Sequence, residues 1–387
     1  MTKPATAVAD RDSNRAAIVL GLTLPADVVL YLLLPMYAAD FGVTLFQAGV
    51  LLAANRLVRI VGYGAVARLY AARGDRLICL WATVAAAVCA LGYAFASGFW
   101  ILLVLRLLWG MSFAALNLST QTLSTAAITG AAGRTGRSRA LIATGPMIAL
   151  PLGALLAQQV GPRAIFYVLT LVALAGLAFA YRLPEDSHGV RPATRRKLKL
   201  PNSLDAWSFV EGLVLDGLFI IGLSYLGKDL MPGSAVLAAG GLLAARYGAE
   251  ILLSPLGGRL ADRWGAERML VGSSLLTAAA LVGFGAGFLF GCAFLIVVLR
   301  ALQLPLLPPI VAKRNPGAGR VQALAARAVW RDIGAGTGPL MAGLLLPIAA
   351  PIWIYGVSAA LLSVTALASW RPADGEVIAE AGKPESG

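Results

Sequence analysis

Apolar stretches of about 20 residues recur from Ala16 to Trp370, each separated from the next by a short polar break. A stretch of that length crosses a hydrocarbon core of about 30 Å as an α-helix, and a helix satisfies its own backbone polar groups. The pattern therefore predicts an all-α integral membrane protein. Composition agrees, since 59% of the 387 residues are hydrophobic, 13% are charged and the mean hydropathy is +0.78, outside the usage of water-soluble domains. Twelve segments are predicted, at 16–39, 45–67, 77–97, 99–126, 138–158, 163–182, 207–228, 236–257, 268–289, 292–312, 326–348 and 351–370.

A net charge of +13 in a soluble chain would suggest nucleic acid, so the placement of the basic residues decides the matter. About 25 of the 32 Lys and Arg fall in the N-terminus, the even-numbered connections and the C-terminus, while Arg163 and Lys228 stand on the opposite side. That asymmetry puts both termini and the central loop in the cytoplasm, against anionic headgroups, and requires no nucleic acid. The first segment follows Lys3, Arg11 and Arg15 as a signal peptide would, but its length predicts a retained helix. Cys79, Cys89 and Cys292 all lie in apolar segments without metal or redox spacing and read as packing residues.

The longest polar stretch, from Arg182 to Trp207, holds three prolines, a basic cluster and the lone His188, which is expected to be solvated. It divides the chain into 1–182, a six-helix bundle, 183–206, a cytoplasmic linker, and 207–387, a second six-helix bundle. The two parts repeat landmarks in order. RLLWG from Arg106 is answered by RALQL from Arg300, and ATGPMIALPLGALL from Ala143 by AGTGPLMAGLLL from Ala335. GAVARLYAARGDR from Gly64 is answered by GRLADRWGAER from Gly258, so the halves are expected to be pseudo-symmetric.

Charges inside apolar segments cost several kcal/mol unless paired, hydrated or neutralised. Asp27, Arg56, Arg59, Arg106, Glu211, Asp216, Arg246, Glu250 and Arg300 are such residues. Asp27 sits midway along segment 1, just after Pro25, and Asp216 midway along segment 7. Each acid is open to two roles, a proton carrier or a structural ion pair. Arg246 and Glu250, one helical turn apart, are able to satisfy each other. Arg56 and Arg59, with Arg106, Arg246 and Arg300, would make an electropositive cavity for an anionic or zwitterionic substrate; the other reading has Arg59 snorkelling and Arg56 paired.

Gly258, Leu260, Ala261, Asp262, Arg263 and Gly265 read GxLADRxG, which resembles motif A of the major facilitator superfamily. Physically, the glycines permit a tight turn and close helix approach, while an aspartate beside arginines pairs with them and with a helix N-terminus. Asp262 is expected to latch onto the start of segment 5, near Arg137 and Arg139. The first-half copy departs from the motif, with Arg68 in the aspartate's place and Asp75 displaced. The resemblance further implies that segments 1, 4, 7 and 10 line a central cavity, placing Asp27, Arg106, Asp216 and Arg300 around it. Arg106 with Gly110 follows RxxxG of motif B, associated with proton coupling, and Arg300 with Gln303 is a weaker echo. Gly145, Pro146, Pro151 and Gly153, and Gly334, Gly338, Pro339 and Gly343, resemble in part the antiporter motif C, where Gly and Pro permit helix crossing and bending.

The function expected from these features is a proton-coupled exporter of a small organic molecule working by alternating access. The alternative is an uptake symporter or uniporter for a small organic anion. An enzyme or scaffold would need a metal cluster, phosphate loop, nucleophilic triad or interaction domain, and none is visible in the sequence. The expected setting is a bacterial inner membrane, with substrate, protons and lipids as partners, a monomeric state, and no cofactor or metal.

Overall fold

The computed structural model describes residues 3–185, 201–227 and 235–370. His188, the basic cluster from Arg191 to Lys199 and Lys228 lie outside the described residues, as does most of the expected linker. The chain runs through α1 (Lys3–Met36), α2 (Leu45–Phe95), α3 (Phe99–Ser124), α4 (Ala131–Gln159) and α5 (Ala164–Ala180). It continues through α6 (Ser203–Glu211), α7 (Phe219–Gly227), α8 (Ala235–Trp264), α9 (Ala266–Gly285) and α10 (Leu289–Gln303), then α11 (Leu307–Arg314), α12 (Arg320–Leu345) and α13 (Pro351–Ala368). Every predicted segment falls on this series. Segments 2 and 3 share α2, segment 7 is made by α6 and α7, and segment 10 by α10 and α11.

The departures from simple helices have local causes. The 51 residues of α2 turn back at Gly74, whose φ of 73° lies where a side chain would clash with the backbone. Gly265 does the same between α8 and α9, at φ 92°, which is why the polar loop after α8 needs its glycine. Pro305, Pro308 and Pro309 withhold N–H groups around the break from α10 to α11. Between α6 and α7 the chain forms a π-helix, Gly212–Leu218, a widened turn common at functional sites. The second half opens on a capping box in which Asp205 N donates to Asn202 Oδ1 (3.1 Å) and Asn202 N to Asp205 Oδ2 (3.0 Å). Arg327 of α12 pairs with Asp205 and donates to Asn202 Oδ1 at 2.8 Å, fastening α12 to this start.

Each half has its own apolar core. Phe41, Tyr93 and Phe166 pack edge to face in the first, and Phe219, Phe284 and Tyr355 in the second. A third cluster bridges the halves, joining Tyr63, Val66 and Tyr70 of α2 to Val311 of α11 and Val321 and Leu324 of α12. Beside it α4 lies along α8. A Cβ on Gly136 would stand 3.0 Å from Pro255 Cα, and one on Gly240 3.1 Å from Ala154 Cβ, so small residues set the approach of these helices. In lipid, where burial gives little drive between helices, such close backbone packing is the main source of association.

Candidate functional site at the seam between the halves

In the first half, Pro25 on α1 has no N–H to offer Gly21, and α4 fills that place. Gly145 lies so near that a Cβ there would be 2.8 Å from Pro25 Cγ. Asp27, half a turn further on, accepts hydrogen bonds from Arg106 of α3 and from Asn55 Nδ2 of α2 at 3.1 Å. Arg106 is fully buried, donates Nε to Leu51 O at 3.1 Å, and lies 5.0 Å from the Tyr31 ring. A buried ion pair of this kind is held by its hydrogen bonds, because breaking it leaves an unpaired charge in a low dielectric.

The second half repeats the pair and enlarges it. The π-helix carries Asp216, whose carboxylate accepts from Arg300 of α10, Arg246 of α8 (3.2 Å) and Arg331 of α12 (2.7 Å). Arg331 also donates to Glu211 at 3.0 Å, and Arg246 stands 3.7 Å from Glu250 one turn along its own helix. Glycines allow this crowding. A Cβ on Gly217 would meet Pro339 Cδ at 3.1 Å and one on Gly338 would meet Leu218 N at 3.2 Å. Gly145 with Pro146, and Gly338 with Pro339, thus lie where α4 crosses α1 and where α12 crosses the π-helix.

Between the halves, Arg59 of α2 stands 3.5 Å from Asp332 of α12, with Phe113 4.5 Å beneath its guanidinium. Arg56 lies within electrostatic range of Tyr31, Asp216 and Asp332. A cavity opens here, lined from the first half by Tyr63, Phe113, Asn117 and Arg139 and from the second by Trp207, Glu211, Gln303, Arg331 and Asp332. Around this seam, among the described residues, seven arginines, at 56, 59, 139, 246, 300, 327 and 331, stand with five acids, Asp205, Glu211, Asp216, Glu250 and Asp332. The Asp27–Arg106 pair is balanced, so positive charge is in excess.

At the end of the bundle where α8 meets α9, Asp262 accepts hydrogen bonds from the first amides of α4, Gly133 N at 2.8 Å and Ala132 N at 3.2 Å. Gly133 leaves room for the carboxylate, whose charge complements the helix N-terminus. Gly258 brings α8 against Ala132, and Arg263 is exposed beside it. The expected arginine neighbours differ. Arg137 donates to Asp10 of α1 at 2.7 Å, and Arg139 faces the seam cavity instead. At the first-half copy Arg68 is exposed, while buried Asp75 accepts from Tyr70 and from Ser119 Oγ at 2.5 Å within its own half. The inter-half contact there comes from Arg320 of α12, which donates to Thr125 O at 2.8 Å.

The structure thus draws Asp27 and Arg106 together in one half, and Asp216, Arg246, Glu250 and Arg300 in the other. Sequence reasoning missed Arg331 and Asp332 and placed Arg139 at the latch. The signal for the first two was the RD pair in AVWRDIGAGTGP, lying inside segment 11 but close enough to its polar edge to be counted with the loop.

A profile described as Major Facilitator Superfamily matches residues 16–227 and 208–385. Among solved structures, the crystal structure of the human organic anion transporter MFSD10 (TETRAN) is similar to this chain, with a TM-score of 0.74 and 17% identity over 93% of this chain and 99% of that one. At that identity the likeness is one of fold. No curated protein sequence matches.

Proposed function

The chain belongs to the major facilitator superfamily and is a membrane transporter rather than an enzyme, and from that premise we propose that it is a proton-coupled exporter of a small organic anion or zwitterion. The observation that carries the substrate reading is the excess of arginine over acid around the seam. Guanidinium groups bind carboxylate and phosphate through paired hydrogen bonds, and a low-dielectric cleft strengthens the attraction. The solved structure of like fold is described as an organic anion transporter, which agrees with that excess.

Alternating access requires polar ties that break when the halves rock. Asp262 on the α4 amides and Arg320 on Thr125 O are ties of that kind, at the end read as cytoplasmic from its basic loops. Proton coupling requires a carboxylate that trades a cationic partner for a proton, and Asp27 and Asp216 are the two candidates. One observation favours the second reading, uptake by symport. Because three guanidiniums share Asp216, a proton there would release donors to an incoming anion, so proton and substrate would help each other bind.

The test is flux in proteoliposomes under an imposed pH difference, with substrate inside or outside. Export by antiport predicts accumulation into the more acidic compartment, and symport predicts the reverse. Each pH unit supplies about 1.4 kcal/mol per coupled proton. If Asp27 carries the proton, Asp27→Asn abolishes pH-driven accumulation while exchange of substrate persists. Full pH-driven transport by that variant would transfer the role to Asp216.

A further inference from the structure

Among the described residues, the seam cavity contains polar groups without hydrogen-bond partners, and they are of two opposite kinds. Arg139, from α4, faces it and makes no hydrogen bond or ion pair with a described residue, Glu250 and Glu211 lying only within electrostatic range. Across it, Gln303 of α10 is 3% exposed, and its amide orientation is fixed by a neighbour. Thr277 Oγ1 spends its proton on Ser273 O at 2.8 Å, so it accepts from Gln303 Nε2 at 3.1 Å. Gln303 Oε1 is left buried without a donor. Asp332 Oδ2, on α12, also accepts no hydrogen bond, and Arg59 Nε approaches it only to 3.5 Å. Buried polar atoms in that condition carry a desolvation cost that a complementary ligand removes.

We propose that this cavity takes a small amino-acid-like zwitterion, with its carboxylate on Arg139, its ammonium on Gln303 Oε1 and Asp332 Oδ2, and its apolar body between Phe113 and Trp207. The inference rests on the transport reading above and narrows its substrate class. A simple anion would satisfy Arg139 but leave both acceptors unmet. A simple cation would meet the acceptors and be repelled by the arginine. Glu211 is already engaged through Oε2, which accepts from Arg331 Nε at 3.0 Å. The contacting groups come from different halves, Arg139 and Phe113 from the first and Trp207, Gln303 and Asp332 from the second. A ligand that bridges them binds more tightly when the halves are close, which is how a cargo biases a rocking transporter.

The experiment measures binding to the purified full chain in nanodiscs with matched sets of probes. One set is L-phenylalanine, 3-phenylpropanoate and 2-phenylethylamine; the other is L-leucine, 4-methylpentanoate and 3-methylbutylamine. At least one amino acid is expected to bind about tenfold or more tightly than both of its one-charge analogues, the difference expected from one charge-assisted hydrogen bond. Arg139→Gln should lower that affinity about tenfold and raise the amine's, because the repelling charge is gone, with Arg139→Lys recovering part of the amino acid's loss. Because Arg139 makes no hydrogen bond or ion pair with a described residue, these variants are expected to fold. Asp332→Asn should weaken the amino acid while the carboxylic acid binds as tightly as before or more tightly, since a like charge is removed. A carboxylic acid that binds as tightly as its amino acid, an Arg139→Gln variant equal to wild type, or no binding by either amino acid overturns the proposal. Carboxylic acid flux into proteoliposomes without amino acid binding would sink it and leave the transport reading standing. Amino acid binding without flux would support the site and sink the transport reading.

Discussion

The two halves place an aspartate and an arginine at corresponding positions and use them differently. Asp27 and Arg106 form a strut inside the first half, closed by Asn55 and the Leu51 carbonyl. Asp216 and Arg300 form a hub, because the π-helix presents Asp216 to arginines from three helices, α8, α10 and α12. Among the described residues the strut leaves Arg106 Nη2 and Asn55 Oδ1 without partners, and the hub leaves Arg300 Nε, Arg300 Nη1 and Arg246 Nε without hydrogen-bond acceptors. One of its arms, Arg331, also lines the seam cavity. A duplicated device is thus confined to its own half in the first case and linked to the cavity in the second.

The largest effect that tests this contrast is the loss of each arginine. Arg106→Gln strands Asp27 with Asn55 alone and is expected to cost about 3–5 kcal/mol, as for other broken buried pairs. Arg300→Gln leaves Asp216 with Arg246 and Arg331, and the expected cost is about 1–3 kcal/mol. Thermal unfolding of the purified protein measures both, and equal losses would break the distinction between strut and hub.

Helix crossings come next. Gly217→Leu and Gly338→Leu push the π-helix away from α12 and are expected to cost about 1–3 kcal/mol or more, with transport lost. Gly145→Leu should cost a similar amount where α4 meets α1. If the second-half variants are the only ones to lose transport while all three unfold alike, the hub is sharpened as the moving part.

The two latch corners differ by less. Asp262→Ala removes the acceptor for two amides at a helix N-terminus, worth about 1 kcal/mol. It is expected to shift the distance distribution between spin labels on α4 and α8. Arg68→Ala, at the corner without the acid, should stay within about 0.5 kcal/mol and leave the distribution unmoved. A shift there would give the first-half corner a latch of its own. The smallest effect is Gly343→Ala, exposed with nothing within 4 Å of a new Cβ. It should be neutral or stabilise by up to about 1 kcal/mol in the same melts, separating this glycine from Gly338 in the same motif.

Much of the site was legible because a charge in an apolar run stands out. Asp27, Arg106, Asp216 and Arg300 were visible on those grounds, and the structure joins them in pairs. Arg331 and Asp332 were not, since a charge near the edge of an apolar segment looks the same as a loop charge until depth is known. Nearness in sequence puts Arg137 and Arg139 together at the latch, but residues two apart on a helix point to opposite sides. One meets Asp10 and the other the cavity.

The sequence by itself determined the membrane, the helical segments, the repeat and the charges that need partners, because each follows from transfer free energies and from spacing along one chain. Tertiary structure alone decided which partner each charge received. Arg331 joins Arg246 and Arg300 on Asp216 because glycines at 212, 217, 334 and 338 let α12 approach the π-helix and its flanks closely. It also decided that Arg139, Gln303 and Asp332 share a cavity. Those residues come from helices far apart in the sequence, and no local periodicity encodes the meeting of their side chains.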